Sequence, residues 1–504
     1  MRTWATLVLV VAAAVGCGKR GAPPLSSSSL WALAPPGTRV AVVVRDGALP
    51  PLLRGLRILA TKAGQAVGDQ VKGLLAKLPI DVLDDTALTA AGVDADRGLA
   101  VFGSTGAIAF VAPVGDEKKW QDRLGASWTC RRVHGRFACA TTEELLGKVG
   151  TSVALADEVK RASLDMRGDV EAYSATPPDM SLPIDDPRGL WMAAHFAPGA
   201  VTLRAHLVGK PRLPPIPPMT LAKGVAEKRP AGFLFAQAGP FLGSLGRTGA
   251  RLPGGLGLAE VVQALTGEVV GWVPTGAPAR GYAIIGVKDT AVARRLLDAC
   301  ADFTLEPWVT TRKLGDVCQT TLQPPDLAIS IPLETRLEAD GLALGFGAHA
   351  AKGDGGGDVP PFALELFDRP WAFASWGRGI FASVLPDILL ATPGASPSIM
   401  RGVLGVLGKL TELGLAVGWD ADGYVAVLRV ETTFANPDDV VAALDPLIER
   451  AAGGDRSAVA EIQALAQKHP DTPLGAAMRG GSPLAIAAAA IVPGIVMSLI
   501  HLAR

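Results

Sequence analysis

Six histidines, five cysteines and several acidic pairs carry most of the chemistry open to this chain. A zinc site needs thiolates or imidazoles at short paired spacings. No Cys-x-x-Cys occurs, and the histidines fall far from any paired spacing. Acid/base work by paired carboxylates would draw on Asp84-Asp85, Asp185-Asp186 and Asp438-Asp439. Neighbouring residues project in different directions on regular elements. Asp438-Asp439 also fall in an expected helix first turn, where negative charge is favourable. His195 and His206 lie on opposite arms of one expected hairpin and are candidates to face each other. The sequence places no carboxylate or Cys beside them to complete a site.

Other look-alikes dissolve on inspection. Asp420-Ala421-Asp422-Gly423 opens like a calcium loop but lacks the downstream Glu, so it is read as a hairpin turn. Asp94-Ala95-Asp96 is read as a loop before a strand, and Gly353–Asp358 would bind calcium only within a repeated array. The nearest phosphate-loop resemblance, Gly402–Leu410, lacks the glycine spacing and the Ser/Thr after Lys409, and reads as a buried helix. Trp191, Trp371 and Trp376 sit at strand positions and read as core. No catalytic residue, cofactor site or metal site is assigned.

The cysteines carry a different message. Setting Cys17 aside leaves Cys130, Cys139, Cys300 and Cys318, which permit three connectivities. Sequence proximity favours Cys130–Cys139 and Cys300–Cys318. The first pair brackets a hairpin-like stretch turning at His134-Gly135. Loops this short give about 2–3 kcal/mol each on the loop-closure estimate. An even count in an exported chain reads as disulfides.

The elements that must position these residues follow from composition and pattern. The chain has 504 residues, 48 Lys+Arg against 48 Asp+Glu, 19% charged and 49% hydrophobic residues. That composition can bury a large core, and its neutrality argues against binding nucleic acid through charge. Gly (59) and Pro (39) imply many turns. Strand-to-helix segments are expected at Val40–Leu56, Phe233–Leu245 and Trp371–Leu385. Hairpins running into helices are expected with return strands Ile108–Val114, Tyr282–Val287 and Tyr424–Val430. Their helices begin at the N-cap residues Asp116, Asp289 and Asn436. A further hairpin spans Trp191–Val208. The expected fold class is α+β, with degenerate repeats of strand-helix and antiparallel hairpin-helix units forming two or three packed lobes.

Expected domains are an N-terminal α+β lobe over 30–210, a Pro-rich linker over 211–228 and a middle α+β lobe over 229–350. A Gly/Asp-rich linker over 351–362, a C-terminal α+β module over 363–479 and an apolar helix over 480–504 complete the chain.

The first residues are an address. Residues 1–16 have one Arg, an eleven-residue apolar run from Ala5 to Val15, and Gly16 before Cys17. The run is too short to span about 30 Å of hydrocarbon but fits a signal-peptide core. Ala14-Val15-Gly16-Cys17 resembles the lipobox of bacterial lipoproteins, where Cys17 would become the lipid-modified N-terminus. Residues 17–29 then read as lipidated Cys and polar tether. The repeat pattern resembles predicted bacterial envelope lipoproteins built from repeated ββα units. That resemblance brings no catalytic residues with it.

At the other end, Leu484–Ile500 is 17 apolar residues interrupted by Pro493-Gly494. It is read as a docked terminal helix, a spanning tail, or a segment that docks on a partner. The expected function is a non-enzymatic, lipid-anchored cell-envelope scaffold that binds an envelope protein partner. It would be exported to the periplasmic or surface face of the outer or inner membrane. A periplasmic carrier of an apolar ligand is the alternative, prompted by a mean hydropathy of +0.31. An exported hydrolase with dispersed catalytic residues is the third.

Overall fold

In a computed structural model, the described residues are 28–53, 90–161, 166–175, 183–237, 255–273, 281–302, 309–322, 331–346, 359–378 and 410–432. Positions 51, 95, 198–199 and 231 are excepted; Gly239 and a few residues between 446 and 465 are included. The proposed signal and lipidation site at Cys17, the tether to residue 27, and the apolar tail Leu484–Ile500 lie outside them. So do Asp84-Asp85, Gly353–Asp358, Asn436, Asp438-Asp439 and all of Gly402–Leu410 except Leu410.

The chain divides into two units, Met1–Arg212 with Asp420–Ala435, and Leu213–Trp419 with Asn436–Arg504. In the first, the strands are β1 (Val40–Val44), β2 (Leu99–Ser104), β3 (Ala107–Ala112), β4 (Thr129–Val133), β5 (Arg136–Ala140), β6 (Val170–Ser174), β7 (Ile184–Ala197), β8 (Ala200–Pro211) and β18 (Gly423–Thr432). All pairings are antiparallel, in the order β4-β5-β3-β2-β1-β6-β7-β8-β18. The Val-rich run of β1 fits a strand covered on both faces, since successive side chains alternate sides. Val43 and Val44 accordingly enter different cores.

One core gathers Ala41, Val43, Phe102 and Trp191 beneath helix α1 (Ser28–Trp31). Trp31 is fully buried and meets Trp191 edge-on, with ring centroids 5.1 Å apart. The opposite core gathers Val44, Phe137, Cys139 and Val170 with Trp120 of α2 (Glu117–Leu124). Asp116 caps α2 by accepting the Lys119 N–H at 3.1 Å. Helices α3 (Glu143–Lys148) and α4 (Ala154–Arg161) follow.

In the second unit the strands are β9 (Gly232–Gln237), β10 (Leu265–Val273), β11 (Gly281–Val287), β12 (Val309–Leu314), β13 (Val317–Leu322), β14 (Ile331–Glu338), β15 (Gly341–Phe346), β16 (Phe373–Arg378) and β17 (Leu410–Asp420). Their antiparallel order is β12-β13-β14-β15-β11-β10-β9-β16-β17. Residues from 229–350 and from 363 onward thus share one sheet, because β9 pairs with β10 on one side and β16 on the other. Trp376, Phe233, Trp272 and Tyr282 form one buried aromatic row across four strands. Helices α5 (Thr220–Ala226), α6 (Leu258–Ala264), α7 (Thr290–Asp298) and α8 (Pro361–Glu365) accompany this sheet. Asp289 caps α7 through the N–H groups of Ala291 and Val292.

The expected hairpins β2–β3, β7–β8 and β10–β11 are present, but the expected α+β fold class of strand-helix and hairpin-helix repeats is not. Each unit is instead built on an extensive antiparallel sheet, nine strands in each among the described residues, with few helices. No helix among the described residues exceeds nine residues. Helices this short bury little apolar surface, so the hairpins satisfy their strand edges against distant strands instead. The pairing of β8 with β18 joins residues more than 200 positions apart.

Cys130 is disulfide-bonded to Cys139, its direct partner across β4 and β5. Cys300, in a 3-10 turn over Ala299–Asp302, is bonded to Cys318 of β13. Two disulfides mark a chain that leaves the reducing cytoplasm. Among the described residues, no helix is long and apolar enough to cross a membrane.

Candidate functional site

The ends of several strands in the first unit bring polar residues into one row. Val170 of β6 pairs with Ala194 of β7, which sets Asp169 opposite His195. His195 pairs with Thr202 of β8, and Thr202 pairs with Arg429 of β18. Cross-strand partners share a sheet face, so Asp169, His195, Thr202 and Arg429 stand side by side. Arg45, one residue beyond β1, joins the row by donating its N–H to the Asp169 carbonyl at 2.9 Å.

Each member has a defined contact. The His195 Nδ1 lies 3.0 Å from Asp169 Oδ2, and the Phe196 N–H donates to that same oxygen at 2.6 Å. Burial alone would push the Asp169 carboxyl up. The His195 hydrogen bond, the Phe196 N–H and the electrostatic attraction of His195 and Arg45 outweigh it and hold the group below its usual range. The Thr202 hydroxyl accepts from the Arg429 guanidinium at 3.2 Å, and Arg429 also lies 3.5 Å from Glu431.

One position inward on the same face stands Glu171, almost fully buried. It accepts from the Trp31 indole N–H and from the Gly168 N–H at 3.0 Å, with Arg45 at 3.9 Å. This carboxylate ties α1 to the sheet and separates the polar row from the aromatic core.

The arrangement fixes one imidazole and leaves it accessible. Asp169 takes the Nδ1 side, while the His195 side chain is 56% exposed. Such a ring presents its Nε2 to a hydrogen-bonding group on an approaching molecule. Among the described residues, no three His, Cys, Asp or Glu side chains are grouped to hold a metal ion.

Other sequence candidates take structural roles. His206 pairs with Trp191, four positions along the hairpin from His195, and is buried, so the two histidines do not face each other. Asp185 pairs with Arg212 at 2.6 Å, whereas Asp186 lies 4.0 Å from Arg188 across a strand irregularity. Asp420 Oδ1 accepts the Asp422 N–H at 2.9 Å within the turn before β18. Asp94 likewise accepts from the Asp96 N–H. Trp191, Trp371 and Trp376 are core side chains.

Asp169, Thr202 and Arg429 have no local signal that marks them. The short connection after Ala197 does set the His195–Thr202 register, since Ala197 pairs with Ala200. A second buried carboxylate, Glu268 of β10, accepts from the N–H and hydroxyl of Thr220, both at 2.9 Å, and from the Ala222 N–H at 3.0 Å. It pins the first turn of α5. Burial pushes the Tyr282 phenol, beside Glu338 and Arg336, up to about 12.

No protein-family model matches this chain, and no curated protein matches it. Among solved structures it is similar to crystal form I of TP0453, at 12% identity over 51% of this chain and 99% of that one, with a TM-score of 0.23.

Proposed function

We propose that this chain is an exported protein, lipid-anchored to a membrane of the cell envelope through Cys17, whose sheets serve as a rigid body for binding an envelope partner. The observation that carries the reading is the disulfide pair, Cys130–Cys139 and Cys300–Cys318, which requires an oxidising compartment. The lipobox-like Ala14–Cys17 supplies the means of attachment. The exposed His195, held by the largely covered Asp169, supplies a hydrogen-bonding group already fixed in place, which lowers the entropic cost of association.

Metabolic labelling with a fatty-acid analogue tests the anchor. Label is expected on the parent chain and absent from Cys17→Ser; labelling that persists in the variant refutes the anchor. A photocrosslinking residue at position 195 tests the binding surface in intact cells. One discrete envelope-protein adduct is expected there, and none from the same residue at exposed position 364. Equal capture at both positions refutes the surface.

A further inference from the structure

The two disulfides sit in unlike surroundings. Cys300 and Cys318 are both buried, and they join a 3-10 turn to β13 across segments that share no strand pairing. Cys130 and Cys139 are already direct partners in the β4–β5 register, so their bond closes a loop that the hairpin closes by itself. Cys139 is fully buried against the second core, whereas Cys130 is partly exposed. Cys130 lies on β4, which pairs on one side only among the described residues.

Breaking the bond leaves β4 with other attachments. Its ladder to β5 remains, Arg131 still donates to the Leu146 carbonyl at 2.9 Å, and Arg132 still lies 2.5 Å from Glu117 of α2. Arg132 stands two residues from Cys130 on the same strand face, which puts a cation near any thiolate formed there.

From these observations we propose that Cys130–Cys139 is a thiol–disulfide exchange site, opened by an exported dithiol reductant while Cys300–Cys318 stays closed. The proposal goes beyond the anchoring and binding reading and does not depend on it. The reductant's thiolate attacks Sγ of Cys130, the less buried of the two cysteines, and the electron pair of the broken S–S bond leaves on Cys139 Sγ. The reductant's second thiol, deprotonated to solvent, then attacks its own sulfur in the mixed disulfide and displaces the Cys130 thiolate. Two electrons pass to this chain, its two thiolates take up two protons, and the reductant is left as a disulfide. Cys139 stays in the core, and Cys130 becomes the thiol that an outside molecule meets.

The test uses the purified full chain with dithiothreitol under native conditions, timed alkylation and mass mapping of the cysteines. Cys130–Cys139 is expected to open at least about tenfold faster than Cys300–Cys318, as access to the attacked sulfur governs exchange, with near-ultraviolet circular dichroism retained. Opening of Cys300–Cys318 first, or of both together with loss of that signal, overturns the proposal. Single variants read the direction of attack. In Cys139→Ala, Cys130 should alkylate rapidly, and in Cys130→Ala, Cys139 slowly; the reverse order overturns it. The paired Cys130→Ser, Cys139→Ser variant should fold, and failure to fold would show that the bond is structural.

Discussion

The His195 Nδ1 sits 3.0 Å from Asp169 Oδ2, with the imidazole more than half exposed and the carboxylate largely covered. A carboxylate held below its ordinary value of 3.8 stabilises the fold above its unfolded pKa. That contribution is lost as pH falls through the lower folded value. Asp169→Asn should therefore cost about 1 kcal/mol near pH 7, discounted for partial exposure. The gap from the parent should close at pH values below 3.8. Urea melts at neutral and acid pH check this; a gap that widens on acidification would contradict the pairing.

Glu268 should be costly to remove, because three donors converge on it from the start of α5. Glu268→Ala leaves them buried without an acceptor, at an expected cost of about 2–3 kcal/mol. Glu268→Gln, which keeps one acceptor oxygen, should recover part of that. Denaturant midpoints of both variants decide the matter, and equal midpoints would mean the carboxylate does not hold the helix.

Trp31 separates volume from hydrogen bonding. Trp31→Ala should cost about 3–5 kcal/mol through the cavity beside Trp191. Trp31→Phe keeps much of the packing but deprives Glu171 of the indole N–H, at about 1–2 kcal/mol. Thermal melts should place the Phe variant between the parent and the Ala variant. A Phe variant as stable as the parent would show that the indole N–H contributes nothing.

One terminal strand of each unit's sheet, β4 in the first and β12 in the second, carries a basic pair: Arg131-Arg132 and Arg312-Lys313. Charge on a strand with an open side opposes edge-to-edge association. Arg312→Thr with Lys313→Thr should leave the melting temperature within about 3 °C of the parent, since exposed positions contribute little. It should raise self-association in light scattering at micromolar concentration. Unchanged scattering would mean the pair does not guard the edge, Lys313 serving its contact with Asp298 instead.

Local features of the fold were legible where a short segment decides the outcome. The turn at His134-Gly135 has positive φ at both residues, 50° and 78°, as a tight hairpin turn requires. Asp116 and Asp289 cap their helices because a carboxylate three residues ahead of an N–H needs nothing distant. The fold class is not legible in this way, because hairpins followed by amphipathic stretches look the same whether they close locally or join a wide sheet. Only partners far along the chain distinguish the two, as when Arg429 of β18 comes to lie beside Thr202 of β8. The polar row was hidden for the same reason, its members coming from five strands or strand ends between residues 45 and 429. Glu171 and Glu268 look like ordinary charged residues until the register buries them.

The docking of α1 has a mechanical consequence. Trp31 is wedged into the first core and bonded to Glu171, while Cys17 lies only eleven residues before Ser28. At about 3.3–3.6 Å per residue, even a fully drawn-out leash reaches no more than about 40 Å. Were Cys17 lipidated as proposed, the folded body would keep to a shallow layer over the bilayer, and any pull on that leash would be delivered straight to the Trp31 wedge.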